Sequence, residues 1–100
     1  MSTETVVEIG NLVTRSPDVC QGRPRISGTG VSVRRIVGWS KLGWSPEDIA
    51  ERVGHLSLAQ VYAALAYYHA NRAGIDADIA AEEVEADRLE RQHYLTQNQR

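Results

Sequence analysis

The apolar positions along the chain change their spacing twice, and each change marks a new kind of element. In the first dozen residues they fall in two short β-type runs, Val6–Ile9 and Leu12–Thr14, broken by the turn dipeptide Gly10-Asn11. That pattern predicts edge strands or a small hairpin. Residues 15–24 are loop chemistry, with Ser16-Pro17-Asp18 and Gly22-Arg23-Pro24. Two further β-branched snippets, Arg25-Ile26 and Val31-Ser32-Val33, flank Gly28-Thr29-Gly30, a turn whose backbone is open to close approach.

The spacing then becomes helical. Ser32 is placed to cap a helix running to about Leu42, with Val33, Ile36 and Val37 on one face and Gly43 as its stop. Ser45-Pro46-Glu47-Asp48 supplies a cap, a proline at the first helical position and acids in the first turn, opening a short helix that stops before Gly54. Ser57-Leu58-Ala59-Gln60 is a capping box opening a third helix to about Ala73, with Gly74 as its terminator. A short helix, a tight turn and a longer helix make a helix-turn-helix arrangement, and the helix before them completes a tri-helical core. Compact helical pairs of this sort also occur in proteins that never touch DNA.

The third helix is apolar nearly all round. Leu58, Val61, Leu65 and Tyr68 form one stripe, and Tyr62, Ala66 and Ala70 a neighbouring one. Such a helix is buried on more than one side, which favours dimerisation or cover from a partner over a solitary domain; the prediction is a homodimer with Leu58, Val61, Tyr62, Leu65 and Tyr68 at the interface. Beyond Gly74 the composition shifts. Asp76 or Asp78 is placed to cap a fourth helix running to about Tyr94, with a thin stripe of Ile75, Ile79, Ala86 and Leu89 and a frayed end from Thr96 to Arg100. The expected fold is mainly α with a small N-terminal β element, a helix-turn-helix-like core and a C-terminal helix. The expected division is residues 1–74 and 75–100.

Composition adds bounds. At 100 residues, 42% hydrophobic and 24% charged, the chain has the balance of one ordinary globular domain with a modest core. No apolar run approaches the roughly 18 residues of a membrane span, and nothing reads as a signal peptide, so a soluble cytoplasmic protein is expected. The net charge is −2, but unevenly spread. From Arg15 to Lys41 six cations meet only Asp18; from Asp76 to Glu90 seven acids meet only Arg88. A basic front and an acidic back suit two partners of opposite charge, or two solvated faces whose fields partly cancel.

Catalytic chemistry finds little support. His55, His69 and His93 are too far apart in sequence to form a helical metal pair, and the single cysteine, Cys20, has no neighbouring base. Gly28-Thr29-Gly30 lacks the rest of a phosphate-binding loop. No enzyme activity, cofactor or metal is expected.

Three ordered motifs carry a resemblance. Gly22-Arg23-Pro24-Arg25-Ile26-Ser27-Gly28-Thr29, then Gly43-Trp44-Ser45-Pro46-Glu47-Asp48-Ile49, then His55-Leu56-Ser57-Leu58-Ala59-Gln60-Val61-Tyr62-Ala63-Ala64-Leu65-Ala66-Tyr67-Tyr68 together resemble the DUF433 family over roughly residues 12–75. One departure is that Gly30 stands where the family has arginine after Gly-Thr. The resemblance implies a small antitoxin-like protein paired with a PIN-like ribonuclease toxin, binding operator DNA as a dimer.

On that implication the basic stretch would serve DNA and the acidic helix the toxin. Arg23, Arg25, Arg34 and Arg35 are the phosphate-binding candidates, with Gln60 the one base-reading candidate near the start of the third helix; its other role is the capping box. Ile79, Arg88, Leu89, Arg91 and Tyr94 are the toxin-binding candidates. Arg88 and Arg91 are placed either to enter an acidic nuclease site or to pair within the helix with Glu85 and Asp87. The alternative reading is a dimeric protein-interaction module without DNA binding.

Overall fold

The computed structural model describes residues 6–97. Among them are two short strands, β1 (Val13–Thr14) and β2 (Arg25–Ile26), and four helices, α1 (Val33–Lys41), α2 (Pro46–Val53), α3 (Leu58–Ala70) and α4 (Arg72–Gln97). The fold is mainly helical with a small antiparallel sheet near the N-terminus. The chain forms two compact units, Met1–Ala70 and Asn71–Arg100.

In the first unit β1 and β2 pair with Val13 opposite Ile26 and Thr14 opposite Arg25. The predicted strand at Val6–Ile9 is absent. Residues 6–8 have no regular structure and Ile9–Asn11 is a 3-10 turn, closed by Asn11 N–H to the Glu8 carbonyl and Leu12 N–H to the Ile9 carbonyl. Val6 and Val7 are exposed, and among the described residues no strand pairs with them. β propensity without a ladder partner does not make a strand.

The second side of β2 is pinned by the chain that follows it. Ile26 N–H donates to the Val31 carbonyl and Val33 N–H to the Pro24 carbonyl, both at 2.9 Å. Between them the turn is built by Gly28, whose φ of +77° is a left-handed value, and by Thr29. The Thr29 hydroxyl donates to the Ile26 carbonyl at 2.8 Å and accepts from Val31 N–H at 3.0 Å. Gly28 and Thr29 therefore do separate jobs: one takes the bend, the other closes it.

Each of the first three helices starts where its cap chemistry predicts. Ser32 Oγ accepts from Arg35 N–H, and the buried face of α1 is Val33, Ile36 and Val37. At α2 the capping box is Ser45 with Asp48, each side chain bonded to the other's backbone N–H at 3.1 Å. Gly54, at φ +82°, ends the helix. Ser57 and Gln60 make the same reciprocal box at α3. α3 packs on α1, α2 and both strands, around a core of Ile26, Val33, Ile36, Val37, Ile49 and Val61.

The end of α3 differs from expectation. The helix stops at Ala70, not Ala73, and Gly74 lies inside α4 rather than beyond a helix end. The Asn71 carbonyl accepts from Ile75 N–H at 3.2 Å, the first turn of the new helix. Asparagine is a strong N-terminal residue for a helix, and Gly74 has no positive φ. A glycine in a helix interior costs only about 0.5–1 kcal/mol relative to alanine, too little to break α4. Asp76 and Asp78 consequently lie within α4, which continues through Thr96 to Gln97; residues 98–100 of the predicted frayed end lie outside the described residues.

Candidate functional site

The cationic residues of the N-terminal half are spread over two settings. Arg25 is drawn into the loops around β2: one terminal nitrogen donates to the Thr29 carbonyl at 3.2 Å and the other to Ser16 Oγ at 2.9 Å. Arg15 Nε donates to the Gly22 carbonyl at 2.9 Å. These bonds make the guanidinium groups part of the loop framework. Arg23 and Arg34 are half-buried, whereas Arg35 is exposed on α1.

Arg35 belongs to a four-residue stack. Its guanidinium carbon lies 5.8 Å from the centroid of Trp39, one helical turn on. Trp39 is stacked on Trp44, centroids 5.6 Å apart and planes 7° from parallel. Arg52, from the last turn of α2, covers Trp44 at 4.1 Å. The stack joins α1, the turn after it and α2.

The helix-turn-helix pair presents a different surface. Gln60 spends its side-chain oxygen on Ser57 N–H at 2.7 Å, so the capping role is occupied. Of the five candidate interface residues on α3, Val61 and Tyr68 are buried and Leu65 half-buried. Leu58 and Tyr62 are 40% and 50% exposed, and Ala59 and Ala66 are exposed beside them. The exposed part of α3 is thus mostly apolar and carries no Arg or Lys. The Tyr62 hydroxyl donates to Glu47 Oε1, and the negative charge of Glu47 raises the Tyr62 pKa above its ordinary 10.0.

In the second unit every described side chain from Ala80 to Thr96 is exposed. These include Val84 (68%), Leu89 (53%), Tyr94 (65%) and Leu95 (52%). Ile79 is half-buried and Arg91 exposed. Arg88 is paired through two bonds with Glu85, Nε to Oε2 at 3.2 Å and Nη2 to Oε1 at 2.5 Å. That pairing lowers the Glu85 pKa and raises that of Arg88. Val84, Arg88, Arg91 and Leu95 share one side of α4 with Asp87 and Gln92. No helix is long and apolar enough to cross a membrane, and no group of three or more His, Cys, Asp or Glu is placed to hold a metal, among the described residues.

The pinned loop, the Ser45 box and the α3 box all fall within residues 13–68, and over that span the chain matches the model of DUF433, described as a protein of unknown function. The chain belongs to the DUF433 family. A crystal structure of a DUF433 member protein from Anabaena variabilis ATCC 29413 is similar to it in fold, with a TM-score of 0.66 and 30% identity. The match covers 70% of this chain and 69% of that one. No curated protein matches the chain.

The DUF433 match ends before α4, so the acidic helix lies outside the part that defines the family. The aromatic stack lies inside it, although no reading of the sequence singled it out. One signal was available: Arg35 and Trp39 are four residues apart on a helix, the spacing at which side chains meet. Trp44 and Arg52 join them only through the path of the chain around Gly43 and into α2.

Proposed function

We propose that this DUF433 protein is a non-enzymatic, cytoplasmic antitoxin-type protein whose α4 docks a basic partner, a PIN-like ribonuclease. The observation that carries this reading is α4 itself. It is a helix of 26 residues in a unit of its own, with seven acids between Asp76 and Glu90 and four large apolar side chains in water. Acidic residues give electrostatic complementarity to a nuclease's RNA-binding surface, which speeds and orients association. The apolar side chains supply the contact that holds it. Ile79, Leu89 and Tyr94 are the anchors of this reading, with Arg88 and Arg91 beside them.

Operator binding by a homodimer belongs to the same proposal, through Arg23, Arg34 and Arg35 as phosphate contacts; Arg25 and Gln60 support it least, since both are engaged within the fold. A second reading, a dimeric interaction module without DNA binding, is favoured by the mostly apolar, cation-free exposed surface of α3. Co-purification with the product of an adjacent nuclease-like gene tests the first. Wild type retains the nuclease and silences its RNase activity, and Leu89→Asp loses both. Retention by Leu89→Asp at wild-type strength would remove α4 from the role. Retardation of the upstream DNA by the purified protein separates the two readings.

A further inference from the structure

The Arg35–Trp39–Trp44–Arg52 stack has features that a purely internal brace does not require. Both indoles are half-buried rather than enclosed, and both arginines are exposed. With centroids 5.6 Å apart and planes nearly parallel, rings at contact spacing of about 3.5 Å must be slid past one another by roughly 4 Å. A slid stack leaves part of each flat face uncovered. The guanidinium carbons of Arg35 and Arg52 lie over the Trp39 and Trp44 rings at 5.8 Å and 4.1 Å from their centroids, a cation–π contact that holds each cation beside an indole.

The sequence leading into the stack is cationic. Between Val19 and Pro46 the chain has five Arg or Lys and no acid. Beyond it lie the acids of α2, Glu47, Asp48 and Glu51, and Asp48 interacts electrostatically with Arg52, so Arg35 marks the more cationic end of the stack. Flat π surfaces between cations match a strand of unpaired bases: each base offers a face to stack and each linkage a phosphate to pair. An acidic peptide would satisfy the cations but not the rings. Duplex DNA would satisfy the phosphate contacts while keeping its base faces stacked inside.

We propose that the Arg35–Trp39–Trp44–Arg52 stack is a binding surface for single-stranded nucleic acid, with the indoles stacking bases and the two arginines pairing flanking phosphates. This is independent of the partner reading of α4 and is tested without the nuclease; it assigns Arg35 to single strands in place of the operator contact named above.

Trp39 and Trp44 are the chain's two tryptophans, so intrinsic fluorescence of the full-length protein reports on this surface. Short oligothymidylate and oligouridylate, a duplex of equal length and polyglutamate are the probes. The expected result is quenching by one or both single strands, weaker binding of the duplex, and no comparable response to polyglutamate. Trp44→Leu should weaken single-strand binding about tenfold or more. Arg35→Gln should flatten the dependence of log affinity on log salt by roughly 0.7. If Trp44→Leu fails to fold by circular dichroism, Arg35→Gln and Arg52→Gln, which leave the indoles in place, carry the test. Oligodeoxyuridylate, which differs from oligouridylate in the sugar alone, identifies the preferred sugar. No quenching by either, equal quenching by polyglutamate, tighter binding of the duplex, or full affinity in folded variants would overturn the proposal.

Discussion

The Tyr62 hydroxyl and the Glu47 carboxylate meet at 3.2 Å, linking the exposed side of α3 to the first turn of α2. This contact draws the polar end of the largest exposed side chain on α3 onto its neighbour. It also sets a titration. The charge of Glu47, and its role as hydrogen-bond acceptor, hold the phenol protonated above its ordinary range. Glu47→Gln should bring the Tyr62 pKa back toward 10.0, read as an earlier component in the ultraviolet titration of tyrosinate. Because the folded value is raised, the associated stability is present below pH 10 and is lost as pH rises through the folded value. An unchanged titration in Glu47→Gln would show that the contact does not form in solution.

The Ser45–Asp48 box makes a prediction of opposite sign. Hydrogen bonds from the Ser45 backbone and side chain hold the Asp48 carboxyl below its ordinary 3.8. Its contribution is therefore present above that value and lost as pH falls through the folded pKa. Asp48→Asn should flatten the loss of thermal stability on acidification, and Ser45→Ala should cost about 1 kcal/mol at neutral pH in denaturant unfolding.

Thr29→Val tests the loop between β2 and α1. The substitution keeps the shape of the side chain and removes the oxygen that serves both the Ile26 carbonyl and the Val31 N–H. A loss of about 1–3 kcal/mol is expected in chemical unfolding, from the amide left without its acceptor. A value near zero would mean that the turn is closed by backbone bonds alone.

Gly74→Ala distinguishes a helix interior from a helix end. Gly74 is within α4, has no positive φ, and an added Cβ would meet nothing within 4 Å. The substitution should stabilise the helix by about 0.5–1 kcal/mol. Gly54→Ala, at φ +82°, should destabilise by a similar or larger amount. If Gly74→Ala destabilised instead, Gly74 would be a terminator after all.

Cap chemistry was the legible part of the chain because it is local. Ser32, Ser45 with Asp48, and Ser57 with Gln60 each bond to backbone within three residues, so the sequence alone places the starts of α1, α2 and α3. The buried face of α1 was legible for the same reason. Features that depend on what arrives from elsewhere were not. Val6–Ile9 has strand residues but, among the described residues, no strand beside it. Gly74 has the residue type of a stop, yet Asn71 had already ended one helix and begun the next. Arg25 carries a charge suited to phosphate, but Ser16 and Thr29 lie on loops whose meeting no spacing announces. The aromatic stack needs α1, a turn and α2 to converge, and only its Arg35–Trp39 half is written in a helical interval.

The exposure of α4 from Ala80 to Thr96 bears on how such a chain changes over generations. Most mutations are removed because they loosen a packed interior, and those seventeen positions contribute nothing to one. Replacements there that keep a helix-forming residue are nearly neutral for folding, so folding alone leaves the segment's charge and shape unconstrained. A surface of that kind can follow a diverging partner residue by residue, while the half of the molecule that holds the fold stays as it is.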